Sequence, residues 1–141
     1  MERIARQGEH QVTERTTPIV VVAAVIERDG SFLLTLRPDG THLAGHWEFP
    51  GGKVHGHETH EEALRREIFE ELDAVARVGA LVHTVTHAYP EQTVQLFFYE
   101  CDLDGDAKPM IGQEMRWVAK QELKTLPFPD ADRDLITTLA R

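Results

Sequence analysis

The chain has 141 residues, of which 41% are hydrophobic and 28% charged, and this suits a single globular domain with one sizeable core. Its longest apolar run, over residues 19–26, is too short to cross a membrane, and we expect no secretory signal because no apolar segment follows the charged N-terminus. The lone Cys101 excludes an internal disulfide and favours a cytoplasmic setting, and the net charge of −9 argues against a nucleic acid polymer as partner.

Strand signals dominate the first part of the chain. Residues 1–17 are polar and lack periodicity, so we interpret them as a flexible N-terminal arm in front of a domain over residues 18–141. The domain opens with predicted strands and loops, taken from β-branched runs and turn residues. These are a strand over 19–27, a turn at Asp29-Gly30, a strand over 31–36, a loop over 37–46 and an extended segment over 47–50.

The clearest helix is predicted over residues 59–73. Thr59 followed by Glu62 is a capping-box sequence, and Leu64, Ile68 and Leu72 recur every four residues as a buried stripe. The rest of the chain predicts strands over 81–86, 93–101 and 115–119, a helical turn over 120–125 and a closing helix over 130–139. Strands and helices in this order predict a mixed α/β domain.

The predicted helix concentrates the negative charge of the chain. Seven acids and two arginines between residues 58 and 73 give this segment a charge of −5, more than half of the total. Glu67, Glu70 and Glu71 are spaced i, i+3 and i+4, so they project from one side of the helix and repel one another. Mg²⁺ would turn that repulsion into attraction, because it binds carboxylate oxygens and leaves sites for phosphate oxygens. The alternative is a solvated helix face, which is the usual meaning of a charge run.

The wider spacing argues against that alternative. Gly52 is followed after five residues by Glu58, and after seven more by the segment Arg66-Glu67-Ile68-Phe69-Glu70-Glu71. This pattern resembles the Nudix box of the Nudix hydrolases and departs from it only at Asp73, where the family has glycine. Because aspartate tolerates left-handed backbone better than most residues, we expect the helix to end normally at that position.

The resemblance covers about residues 18–141 and is closest to the MutT-like branch, through the segments 47–53 and 113–118 and the proline-broken tail. It implies a Nudix-type α/β/α sandwich with a mixed β-sheet. It also implies nucleotide-pool sanitisation, in which a metal-activated water hydrolyses a nucleoside triphosphate, such as 8-oxo-dGTP or a cytidine nucleotide, to monophosphate and pyrophosphate. The alternatives are a hydrolase of ADP-ribose or a nucleotide sugar, and a catalytically weakened nucleotide-binding module. The expected oligomeric state is a monomer or a homodimer.

The resemblance also implies which residues form the metal site. Glu67, Glu70 and Glu71 are the expected ligands, together with the carbonyl of Gly51, and the expected cofactor is Mg²⁺, with Mn²⁺ as an alternative. Arg66 is expected to hold a neighbouring glutamate in position. Glu58 either stabilises the helix start or takes part in catalysis. Ile111 stands where MutT-like enzymes usually carry a further glutamate. Either Glu114 or another acid replaces it, or the carboxylates of the box suffice alone, or the activity is weakened or altered.

Arg37, Asp132 and Phe98 are the predicted substrate contacts. Arg37 lies where the branch carries an arginine near the phosphates, although a surface arginine is an equal alternative. Asp132 lies where MutT carries an asparagine that reads the base, and a carboxylate suits the hydrogen-bond donors of guanine or cytosine. The alternative is that Asp130 or Asp132 caps the last helix. The aromatic residues 97–99 alternate faces of a predicted strand, so at least one is expected in the core, and Phe98 is the one predicted to stack on the base.

Overall fold

A computed structural model describes residues 17–141, and the structural statements below refer to that part of the chain. The predicted arm over residues 1–17 therefore lies outside the described residues, apart from Thr17. No helix between residues 17 and 141 is long and apolar enough to cross a membrane.

Strands and helices follow one another along the described chain largely in the order that the sequence predicts. In chain order the elements are β1 (Ile19–Val25), β2 (Glu27–Arg28), β3 (Ser31–Leu36), β4 (Trp47–Glu48), β5 (Gly51–Lys53), α1 (His60–Leu72), β6 (Val75–Ala88), β7 (Thr93–Asp104), β8 (Met115–Ala119), two 3₁₀ segments (Lys120–Thr125 and Asp130–Asp132) and α2 (Arg133–Leu139).

The strands form two four-stranded sheets. The first has the order β5-β1-β7-β6, with β1 parallel to β7 and the outer pairs antiparallel, so it is a mixed sheet. In the second, β3 pairs with β2, β4 and β8. Because β4 and β5 are separated by two residues only, the chain passes from one sheet to the other just before Gly51-Gly52.

The core lies on both faces of the first sheet, and β1 contributes alternately to each. Val22 and Ala24 pack with Leu64, Ile68 and Leu72 of α1 in one cluster. The other cluster lies between the two sheets and α2, and contains Ala23, Val25, Trp47, Phe49, Phe98, Leu135 and Ile136. A mixed sheet between helices confirms the predicted α/β architecture.

The ends of α1 follow the sequence prediction. The Thr59 hydroxyl accepts from the Glu62 N–H at 3.1 Å, and the Glu62 carboxylate accepts from the Thr59 N–H at 2.9 Å, so the capping box is present. Asp73 ends the helix in the left-handed region at φ 53° and ψ 40°, and its N–H donates to the Phe69 carbonyl. The expectation that aspartate replaces the glycine of the motif without losing the helix end is confirmed.

Two starting points of elements differ most from the prediction. β6 begins at Val75, immediately after the turn at Asp73, and not at residue 81. The ladder with β7 shifts register between Val78 and Leu81 and again before His83, so the side chains around Gly79 do not alternate as in a regular strand. The sequence there therefore lacks the pattern by which a strand is predicted. The predicted helix over 130–139 starts as the 3₁₀ segment, and the α-helix begins at Arg133.

Candidate active site

Two glycines bring β5 against the main chain of β1 and a carboxylate of α1. A Cβ atom added to Gly52 would lie 2.4 Å from the Glu67 carboxylate carbon, so only glycine leaves room for that side chain. A Cβ atom on Gly51 would lie 2.0 Å from the carbonyl oxygen of Val22 in the neighbouring strand. The two glycines therefore have different roles: Gly51 permits close strand pairing, and Gly52 admits Glu67.

Glu67 and Glu71 lie next to each other at this place. Their carboxyl groups are within hydrogen-bonding reach, and the Gly51 N–H donates to Glu71. Burial raises the pKa of Glu71 far above its ordinary value, and the neighbouring Glu67 and Glu48 raise it further. Two adjacent carboxylates with little access to water require a proton or a cation to compensate their charge.

Arg66 makes a dense set of contacts beside this pair. Its guanidinium donates to both oxygens of Glu58, at 2.6 and 3.0 Å, and to the Lys53 carbonyl at 3.0 Å. The same group donates to Glu67 at 3.0 Å and to Glu70 at 3.3 Å. Arg66 therefore fixes the orientation of the Glu67 carboxylate relative to β5, which is the arrangement expected for a residue that holds a ligand in position.

Glu58 is held by the loop as well as by Arg66. The His55 N–H donates to the Glu58 carboxylate at 2.8 Å. The hydrogen bonds from Arg66 lower the pKa of Glu58 to about 2, and the His55 N–H lowers it further. Both Glu58 oxygens are occupied by these donors, which supports the structural interpretation over the catalytic one.

Glu70 stands apart from the other two predicted ligands. Its side chain is 57% exposed and contacts Arg66 at 3.3 Å. Within residues 17–141, no three acidic, histidine or cysteine side chains converge closely enough to form a ready-made metal site. The helix spacing thus places Glu67, Glu70 and Glu71 on one side, but the structure brings only Glu67 and Glu71 together.

Glu48 is a site residue that the sequence analysis missed. It lies between the core residues Trp47 and Phe49, and its carboxylate pairs with Arg37 at 2.9 Å. Burial raises the pKa of Glu48, whereas the charge of Arg37 opposes that rise. An acid flanked by two buried aromatic residues is the signal that points to it, since such a side chain requires a partner.

Arg37 is oriented from two sides. Its Nη1 donates to Glu48, and its Nε donates to the His42 carbonyl at 2.6 Å. The Arg37 backbone N–H and carbonyl are also bonded, to the carbonyl of His46 and the N–H of Gly45. The predicted phosphate-contacting arginine is therefore held in place and is not a free surface side chain.

Asp132 is buried, with 5% of its surface exposed. Burial raises its pKa to about 7, and the charge of Glu48 raises it as well. The Asp132 side chain makes no capping hydrogen bond to α2, and the carboxylate of Asp130 pairs instead with Arg133 at 2.9 Å. The capping alternative for Asp132 is therefore wrong, and its carboxyl group is left for another partner.

Phe98 is not placed for the predicted stacking. It is 1% exposed, and its ring is covered by Phe49 and His83, with ring centroids 5.8 Å away in both cases. No ring face is open to a ligand, so the prediction that Phe98 stacks on a base is wrong for this structure. The cause is the alternation of β7, which turns Phe98 into the core between the sheets.

Ile111 lies in the loop that follows β7. The Met110 N–H and the Gln113 side-chain amide both donate to the Glu71 carbonyl at 3.0 Å, so this loop covers the end of α1. The Ile111 side chain is 66% exposed. From outside α1, the acid whose charge acts on Glu71 is Glu48.

The chain shares this fold and much of its sequence with known proteins. Residues 21–138 match the family described as NUDIX domain. The 8-oxo-dGTP diphosphatase of Haemophilus influenzae is 40% identical over 124 residues, covering 86% of this chain and 91% of that protein. The CTP pyrophosphohydrolase of Escherichia coli is 38% identical over 119 residues, covering 84% and 88%. A crystal structure of a MutT NUDIX hydrolase from Burkholderia pseudomallei superimposes with a TM-score of 0.78 at 31% identity, covering 86% and 97%.

Proposed function

The chain belongs to the Nudix hydrolase family, and from this membership we propose that it hydrolyses a nucleoside triphosphate to a nucleoside monophosphate and pyrophosphate with Mg²⁺ as cofactor. The observation that carries the proposal is the adjacency of the Glu67 and Glu71 carboxylates against the backbone of Gly51-Gly52. The proposed substrates are 8-oxo-dGTP and cytidine triphosphates, because relatives named for each type of reaction are about equally similar to the chain.

The oxygen ligands offered by Glu67 and Glu71, at what we call the phosphate end of the site, fit Mg²⁺. Glu67 and Glu71 present adjacent carboxylate oxygens, which hard divalent cations prefer, and their mutual repulsion calls for positive charge. The residues that would hold the ion are Glu67, Glu70, Glu71 and the Gly51 carbonyl, and Mn²⁺ accepts the same oxygen ligands. When held there, Mg²⁺ would neutralise phosphate charge and assist the attack of water that breaks the bond between the α- and β-phosphates, which gives the monophosphate and pyrophosphate.

The remaining residues orient the site and the substrate. Arg66 keeps the Glu67 carboxylate turned toward β5 through a hydrogen bond of 3.0 Å. Arg37 offers a guanidinium to the phosphate oxygens, and Glu48 and the His42 carbonyl hold it in one orientation before the substrate arrives. Prior orientation of these groups reduces the entropy lost when the triphosphate binds.

Asp132 is the proposed contact for the base. Its ionised carboxylate accepts hydrogen bonds only, so it pairs with N1–H and the 2-amino group of guanine or with the 4-amino group of cytosine. Because its pKa is about 7, the protonated form is also present near neutral pH and donates to an acceptor such as guanine O6. The burial of Asp132 excludes water from that contact and increases the cost of a mismatched base.

The experiment measures pyrophosphate release with Mg²⁺ across normal, oxidised and methylated nucleoside triphosphates, with ADP-ribose and a nucleotide sugar in the same series. Glu67→Gln keeps the shape of the side chain that lies against Gly52 and removes its charge, so we expect it to lose turnover by at least about 10²-fold. Glu61→Gln, on the exposed first turn of α1, is the matched control and keeps the wild-type rate.

Each outcome distinguishes one hypothesis. Selective turnover of 8-oxo-dGTP or of a cytidine triphosphate, lost in Glu67→Gln, supports the proposal and identifies the base. Preferential turnover of ADP-ribose or a nucleotide sugar would replace the substrate class and keep the hydrolase. No turnover of any compound, with nucleotide binding retained, would overturn the proposal in favour of a nucleotide-binding module.

A further inference from the structure

Tyr89 lies at the end of β6, in the tight turn that connects β6 to β7. Its backbone N–H and carbonyl are bonded to the carbonyl and N–H of Gln92, at 3.0 and 3.2 Å. Because these two bonds close the turn, the Tyr89 backbone is fixed and its half-buried ring has a defined direction.

The Tyr89 ring contacts the loop that contains Arg37. The His42 ring meets it edge-on, with centroids 5.0 Å apart and an interplanar angle of 84°. The carbonyl of the same His42 accepts from Arg37 Nε at 2.6 Å. The Tyr89 ring also contacts the His87 ring of β6, with centroids 4.5 Å apart, so the tyrosine contacts both β6 and the Arg37 loop.

The Tyr89 hydroxyl reaches the turn that contains Asp132. The backbone N–H of Ala131 donates to the phenolic oxygen. Ala131 is at the start of the 3₁₀ segment, where a backbone N–H has no partner within the segment, so the tyrosine satisfies a donor that would otherwise be free. Burial raises the pKa of Tyr89, and the nearby Asp132 and Asp130 raise it further, so the phenol remains neutral and keeps its proton.

We propose that Tyr89 is a positioning residue for nucleotide recognition, which holds Asp132 toward the base through the Ala131 N–H and holds the Arg37 loop through the His42 ring. The proposal rests on the proposed function, because it takes Asp132 as the contact for the base and Arg37 as the contact for the phosphates. Tyr89, which itself contacts neither the base nor the phosphates, thus sets the distance between Asp132 and Arg37.

The chain offers a matched pair of variants, because its two tyrosines lie on the same sheet with different partners. Tyr89→Phe removes the bond from Ala131 and keeps the ring against His42, whereas Tyr89→Ala removes both contacts. Tyr99→Phe is the control, since the Tyr99 hydroxyl pairs with His60 Nδ1 at 2.7 Å at the start of α1. The measurements are calorimetric dissociation constants for CMP, 8-oxo-dGMP and pyrophosphate with Mg²⁺, beside steady-state turnover of the triphosphates and the NMR shift of the Ala131 amide proton.

We expect Tyr89→Phe to shift the Ala131 amide resonance and to weaken binding of the preferred monophosphate about two- to tenfold, the effect of one neutral hydrogen bond. Pyrophosphate binding and kcat stay at the wild-type values, and KM rises with the monophosphate dissociation constant. Tyr89→Ala weakens pyrophosphate binding as well, because the Arg37 loop loses its support. Tyr99→Phe changes none of these quantities.

Unchanged monophosphate binding in Tyr89→Phe would overturn the positioning role, whatever the turnover of the wild-type protein. Equal weakening by Tyr99→Phe would overturn it as well, because the effect would then be general to the sheet. If the wild-type protein binds a monophosphate but hydrolyses no triphosphate, the proposed function is contradicted. The positioning role of Tyr89 is then still tested by the dissociation constants of its variants.

Discussion

The phosphate end and the base end of the site are assembled in different ways. The carboxylates of the phosphate end come from one stretch of sequence, residues 51–71, in which β5 and α1 face each other across Gly52 and Glu67. The base end is assembled from Glu48 and Asp132, which lie in separate segments and come close only in the folded chain.

This difference determines what a substitution does at each end. At the phosphate end, a backbone position and a carboxylate fit so closely that an added methyl group displaces the carboxylate. At the base end, the groups interact through charge and burial, which tolerate small displacements. We therefore expect changes at the phosphate end to reduce catalysis and changes at the base end to alter selectivity.

The largest expected effect tests the close fit directly. In Gly52→Ala the new Cβ would lie 2.4 Å from the Glu67 carboxylate carbon, and the flexible side chain has to move. Because a displacement of about 1 Å at a catalytic group costs about 10²-fold, we expect kcat to fall by that factor with little change in thermal stability. Steady-state kinetics and a melting curve of the same preparation test this prediction.

Gly51→Ala is the contrasting variant. Its Cβ would meet the Val22 carbonyl at 2.0 Å, and main-chain atoms of a central strand cannot move aside as a side chain does. We expect a loss of about 1–3 kcal/mol in the free energy of unfolding, measured by urea denaturation. If Gly52→Ala lost as much stability as Gly51→Ala with catalysis intact, the distinction between the two glycines would be wrong.

The sequence predicts the phosphate end well because local rules determine it. The helix period places Glu67 and Glu71 one turn apart, and the capping box and Asp73 define where α1 begins and ends. Glu70 is the exception, since spacing alone does not tell which of three neighbouring acids turns toward β5. In the structure Glu70 is exposed and pairs with Arg66, one turn earlier in α1, whereas Glu67 and Glu71 face β5.

The base end could be predicted only through a family resemblance, and then incompletely. Glu48 and Tyr89 have no motif, because their roles arise from contacts between distant segments, with Arg37 and Ala131 respectively. The strand pattern shows that neighbouring residues of β7 alternate faces, but not that the face of Phe98 is closed by the second sheet. Long-range packing is the information that the sequence lacks here.

A smaller effect is expected from the titration of Asp132 at the base end. Burial raises its pKa to about 7, so the carboxyl group is protonated below that pH and ionised above it. The protonated form makes two hydrogen bonds with either base edge, as donor and acceptor. The ionised form keeps two with guanine N1–H and the 2-amino group but only one with the cytosine amino group. The ratio of kcat/KM for guanine over cytosine nucleotides should therefore rise about two- to tenfold as the pH passes upward through 7.

Asp132→Asn is the control for this titration. The amide has the shape of the carboxyl group and does not ionise. The ratio of kcat/KM for guanine over cytosine nucleotides should therefore be constant from about pH 6 to about pH 8, the range around the pKa of Asp132. A ratio that changes with pH in Asp132→Asn as it does in the wild type would assign the pH dependence to another group.

The smallest expected effect concerns Glu58, which holds Arg66 at the phosphate end. The hydrogen bonds from Arg66 lower the pKa of Glu58 from 4.5 to about 2. A lowered pKa in the folded state means that the ionised carboxylate stabilises the fold above pH 4.5, and that this contribution is lost as the pH falls toward 2. Glu58→Gln should therefore be less stable than the wild type at pH 6, and the difference should shrink to nothing near pH 2, as measured by thermal unfolding across this range.

Glu61→Gln, which breaks an exposed pair with Arg65 at 3.7 Å, should follow the wild type at every pH, because such surface pairs contribute little. A constant difference between Glu58→Gln and the wild type from pH 6 to 2 would show that shape and not charge at this position keeps Arg66, and with it Glu67, in place.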